Sequence, residues 1–105
     1  MISKDPGPAG VRSAAGPPRS VAELAATSAG WKVELGGFGR WLTAEHQVER
    51  GGQRWLLGLT PVGQDVVAMV LWRDDVVVSH ARGAEPEMCA LAHRTLIGIV
   101  ENCAR

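Results

Sequence analysis

From Trp31 onward the apolar residues recur at every second position, and the alternation is broken at short intervals by turn-forming residues. A period of two belongs to half-buried strands, and connections this short join antiparallel neighbours, because parallel strands need a long crossover. The pattern predicts strands near 31–35, 40–49, 53–60, 65–73 and 76–81. The breaks between them are Gly36-Gly37, Gly51-Gly52, Pro61-Val62-Gly63 and Asp74-Asp75. Gly51-Gly52 gives a test of register. A two-residue loop there sets Arg50 against Gln53, Glu49 against Arg54 and Val48 against Trp55, with Leu57 facing His46 and Leu59 facing Ala44. Opposite charges then meet on one face and apolar side chains on the other, as a stable ladder requires.

A turn at Pro61 to Gln64 would bring Asp65 opposite Thr60, and the Asp74-Asp75 turn would bring Trp72 opposite Val77. One face then collects Val48, Trp55, Leu57, Leu59, Val66, Val70, Trp72 and Val77, enough for a core. The reverse face carries Leu56, Val67, Met69, Leu71, Val76 and Val78, with Trp41 at one end. A sheet wet on one side should alternate apolar with polar. Segments 65–73 and 76–81 are apolar on both faces, whereas 40–49 is polar on the reverse one (Thr43, Glu45, Gln47, Glu49). Those seven apolar residues are therefore the candidate interface, to be covered by the chain's own first helix or by a companion.

Helices flank the sheet. Ser20 with Glu23 three residues on has the form of a capping box, opening a short alanine-rich helix to about Ser28 that Gly30 closes. At the other end Pro86 suits a first helical turn, and Glu85 and Glu87 suit its N-terminal dipole. Met88, Cys89, Ala92, Leu96, Ile99, Val100 and Cys103 form one apolar stripe. Residues 1–20 hold four of the six prolines among Gly and Ala. So apolar-poor a stretch does not offset its ordering entropy, which predicts a disordered arm over 1–19. The expected architecture is a single α+β domain over residues 20–105: a four- to five-stranded antiparallel sheet, a short N-terminal helix, and a C-terminal helix packed on one face.

A chain of 105 residues suffices for one domain, and its 11 basic and 11 acidic residues leave no net charge. That disfavours a strongly cationic nucleic-acid binder. Without a long apolar run or a secretory leader, the expected location is the cytoplasm. Cys89 and Cys103 lie 14 residues apart in one predicted helix. At ~1.5 Å per residue they stand roughly 21 Å apart, beyond the ~7 Å reach of a disulfide.

Chemical motifs are sparse. Gly51-Gly52-Gln53 resembles the catalytic tripeptide of peptide-chain release factors, which in that family sits on an exposed loop of a larger domain; here the flanking alternation makes it a hairpin turn. Gly36-Gly37-Phe38-Gly39 lacks the Lys-Ser/Thr of a phosphate loop and leads into a strand. Cys89 and His93 share a helical face, but a zinc site needs two further ligands, and His46, His80 and Cys103 lie far along the chain. Ser79 and His80 are strand neighbours and point to opposite faces, so they do not form a nucleophile and base. Asp74-Asp75 beside Arg73 suits a solvated turn. No catalytic, metal or cofactor residue is expected. The pattern favours a non-catalytic interaction or adaptor module, homodimeric through its apolar face or bound to another protein. An accessory nucleic-acid-binding role, with Arg40, Arg50, Arg54, Arg73 and Arg82 among Trp41, Trp55 and Trp72, and a small ligand-binding protein or enzyme are the alternatives.

Overall fold

The computed structural model describes residues 16–103. Its elements run in the order α1 (Val21–Thr27), β1 (Trp31–Leu35), a 3-10 turn (Gly37–Gly39), β2 (Trp41–Arg50), β3 (Gln53–Gly63), β4 (Val66–Arg73), β5 (Val76–Gly83) and α2 (Glu85–Cys103). The five strands form an antiparallel meander in chain order. Of the expected arm, residues 1–15 lie outside the described residues, and Pro18 near its end is buried.

The β2–β3 hairpin has the register its turn demands. Arg50 pairs with Gln53, Val48 with Trp55, His46 with Leu57 and Ala44 with Leu59. Gly51 and Gly52 both take positive φ (59° and 78°), the left-handed pair that a two-residue hairpin needs and that glycine adopts without a steric penalty. At the β4–β5 turn Asp74 and Asp75 take the same conformation (φ 50° and 70°). There Asp74 Oδ1 accepts the Arg54 N–H at 2.9 Å, and Asp75 meets the Arg54 guanidinium at 3.1 Å. The exposed pair adds little stability; it locates the turn against β3.

The β3–β4 hairpin departs from expectation. β3 continues through Pro61 as far as Gly63, with Val62 bulged out, and the chain reverses at Gln64–Asp65, where Asp65 has φ 64°. Thr60 therefore faces Ala68, and Leu59, Leu57 and Trp55 face Met69, Leu71 and Arg73. Relative to a turn at Pro61–Gln64 this changes the parity of pairing, which moves every β4 side chain to the opposite face. Val67, Met69 and Leu71 are core, and Val66, Val70 and Trp72 are not.

Both helices lie on the face that carries Ala44, Leu57, Leu59, Val67, Met69 and Leu71. Met88, Cys89, Ala92, Leu96 and Ile99 of α2 and Val21 and Leu24 of α1 close the core above them. Burying five α2 side chains at roughly 1.5–3 kcal/mol each gives of order ten kcal/mol before entropy, ample to dock a 19-residue helix. α1 is capped by Ser20, whose Oγ accepts the Glu23 N–H at 3.1 Å, while the Glu23 carboxylate accepts from Arg19 N rather than returning to Ser20. The Val21 N–H donates to Glu85 Oε2 at 2.9 Å, so the start of α1 is tied to the start of α2. Glu87 Oε1 in turn accepts the Ala84 N–H at 3.2 Å, capping α2. No helix among the described residues is long and apolar enough to cross a membrane.

Candidate functional site: the open face of the sheet

With both helices on one side, the other face of the sheet is uncovered among the described residues. Cross-strand pairing arranges it in rows. One row holds Lys32, Glu45, Gly58, Val70 and His80 on β1 to β5. The row toward the Gly51-Gly52 turn holds Gln47, Leu56, Trp72 and Val77, and the row on the other side holds Thr60, Ala68 and Arg82, with the Glu34–Thr43 pair lying beyond the last β2–β3 partners. An apolar strip thus runs from Leu56 through Val70 and Trp72 to Val77. It is bordered by acids on β2 and by His80 and Arg82 on β5. Trp72, on an inner strand, is 37% exposed, and Val77 beside it on the edge strand β5 is 43% exposed. Leu56 and Trp72 line a shallow groove with Gln47, Arg54 and Asp75.

The seven residues expected at the interface are divided by the structure. Leu56 stays on the open face, and Val78, the extra residue of a bulge between the Leu71–Ser79 and Trp72–Val77 pairs, is 40% exposed. Val67, Met69 and Leu71 are buried beneath α2 because the β3–β4 turn lies farther along the chain. Trp41 packs against the core. A second bulge, at Leu42 between the Glu34–Thr43 and Leu35–Trp41 pairs, shifts its phase. Val76 pairs with Arg73, whose guanidinium lies 5.7 Å from the Trp55 ring centre on the helix side. Val76 is exposed there, at the end of the strand. The first helix does not cover the open face, since α1 packs on α2 and β1.

Val66, Val70 and Trp72 take the places that Val67, Met69 and Leu71 lose. Gly58 was not singled out by sequence, although a glycine within Trp55-Leu56-Leu57-Gly58-Leu59 interrupts an otherwise strand-favouring run. Its backbone is ordinary strand, and a Cβ placed on it would meet nothing within 4 Å. Neither conformation nor packing among the described residues calls for a glycine there.

The other chemical candidates lie apart from one another in the fold. Cys89 is a free, fully buried thiol. Burial, reinforced by the nearby Glu85 and Glu23 carboxylates, pushes its pKa up to about 12, the opposite of what a nucleophile or metal ligand needs. His46 Nε2 donates to the Ala29 carbonyl at 2.8 Å and its ring stands edge-on to Trp31, which pins the α1–β1 connection. His80 is exposed on the open face. Gln53 follows the Gly51-Gly52 turn as the first residue of β3. The Cys103 side chain lies outside the described set. Among the described residues no polar or charged residue is buried, and no three or more His, Cys, Asp or Glu side chains gather as a metal site would require. No family model, curated protein or solved structure matches this chain.

Proposed function

We propose that the protein is a non-catalytic interaction module that works as a homodimer, with a second copy of the chain covering the open sheet face. The observation behind this is the strip of Leu56, Val70, Trp72 and Val77 on a face that neither helix shelters. Two sheets stacked face to face bury such a strip ~10 Å apart, as in a sandwich core. Four strands ~4.8 Å apart and about eight residues long present roughly 500 Å² in projection before side-chain relief is counted. That approaches the ~800 Å² per partner of a standard interface. A free thiol at Cys89 suits a reducing compartment such as the cytoplasm.

Sedimentation equilibrium at micromolar concentration tests the proposal. The wild-type chain should sediment as a dimer, and Trp72→Glu should sediment as a folded monomer, because the substitution lies on a wet face of the single chain. A wild-type monomer at every accessible concentration would overturn it. So would salt-sensitive binding to a single-stranded oligonucleotide that Trp72→Glu abolishes, which would assign the face to nucleic acid.

A further inference from the structure

We infer that the two copies are related by a two-fold axis running parallel to the strands between β3 and β4, so that Gly58 of each copy receives Val70 of the other. The inference rests on the proposed dimer and fixes its geometry. Aligned sheets stack with strand directions within about 30° of each other, so the axis lies between the sheets, either along or across the strands. An axis across the strands lays each strand on its own copy. Glu45 and Glu49 would then face the same acidic strand of the second copy, which like charges oppose. An axis along β3 lays β2 on β4 of the second copy, setting Glu45 on Val70 and burying a carboxylate against a hydrocarbon side chain.

Moving that axis half a strand, to lie between β3 and β4, resolves both conflicts. β3 then covers β4 of the second copy and β2 covers β5. Rows are preserved, so Leu56 meets Trp72, Gly58 meets Val70 and Thr60 meets Ala68. Each large side chain of β4 finds a smaller one on β3. On the margins Glu45 comes opposite His80 of the second copy, with its Arg82 one row along, and Gln47 comes opposite its Val77. On the middle row acid thus meets base at both margins of the patch, while at the turn end Glu49 comes toward Asp75 of the second copy, a carboxylate already paired with Arg54 of its own chain. Gly58 is the independent sign. A strand glycine that no neighbour among the described residues explains marks a place where another surface comes close. The row it shares with Val70 is also the middle one, where rotation between the sheets displaces the pairing least.

The decisive variant is Gly58→Val. Within the single chain the new side chain enters open space and favours a strand, so its melting temperature should equal or exceed that of wild type at a concentration where both are monomeric. In the dimer it meets Val70, and association should weaken by roughly ten-fold or more. Charge exchange gives the second arm. Glu45→Lys alone and Arg82→Glu alone should each associate several-fold more weakly, and an equimolar mixture of the two should recover a heterodimer, because each substituted side chain then faces its opposite. If Trp72→Glu dissociates the dimer while Gly58→Val and the charge variants associate like wild type, this arrangement is overturned and the dimer stands. If the wild-type chain is monomeric, the underlying dimer fails as well.

Discussion

β4 is apolar on both faces and β3 adds Leu56 on the open one, and the two faces have opposite fates. On the helix side Leu57, Leu59, Met69 and Leu71 are at most 8% exposed, closed over by α2. On the open side Leu56, Val70 and Trp72 occupy the same stretch of the same strands with no helix above them. What separates the faces is the supply of covering elements. α1 and α2 both descend on one side, held together by the Val21–Glu85 hydrogen bond. One face is therefore filled by the fold, and the other has no covering element among the described residues.

Equivalent truncations on the two faces should have unequal costs. Leu59→Ala should lower unfolding free energy by ~2–5 kcal/mol in urea titration, because it leaves a cavity under α2. Val70→Ala, measured where the chain is monomeric, should cost under ~1 kcal/mol. Equal costs would mean that the open face is already packed in the single chain. Next in size is the tie between the helices. Glu85→Ala removes the acceptor for the Val21 N–H and should cost ~1–2 kcal/mol, with loss of amide-exchange protection confined to α1. Loss of protection throughout the sheet would show that α1 is integral to the core.

Near neutral pH the smallest pH effect comes from Cys89, because its titration lies in alkaline solution. Folding raises its pKa from 9.0 to about 12, so the folded state holds the proton more tightly. The associated stability is fully present below pH ~9 and is lost as pH rises toward ~12, at no more than ~1.4 kcal/mol per pH unit. Cys89→Ala should unfold with a shallower alkaline slope than wild type. In the native wild type a thiol reagent at pH 8 should modify Cys89 only as fast as the core opens. Immediate modification would place the thiol outside the core.

The sequence was legible wherever a turn has a single chemical solution. Gly51-Gly52 supplies two residues suited to positive φ, so the β2–β3 ladder follows from it residue by residue, and Asp74-Asp75 likewise sets Trp72 against Val77. Pro61-Val62-Gly63 resembles a break, yet β3 runs through it. Pro61 lies beyond the last β2–β3 pair, Ala44 with Leu59, so its missing N–H breaks no bond to β2, and a bulge at Val62 absorbs the extra residue. Because β4 is apolar on both faces, its pattern offered no check on that shift of phase. Val67, Met69 and Leu71 therefore exchanged places with Val66, Val70 and Trp72. The bulge at Leu42 misplaced Trp41 in the same way. That an uncovered apolar face exists was readable from composition along β3 to β5; which residues form it depended on turn geometry that local preference does not determine.

Where the leading segment joins the domain has a practical consequence. Pro17 and Arg19 lie beside Pro86, Ala90 and Leu91, behind the sheet as viewed from Trp72. A dye or affinity handle joined at Gly16 therefore starts from the back of the molecule and leaves the open face clear. In a face-to-face pair two such dyes would sit on opposite outer surfaces, with two helical layers and two sheets between them. At ~10 Å per layer their separation is on the order of 30 Å or more, a span suited to energy transfer.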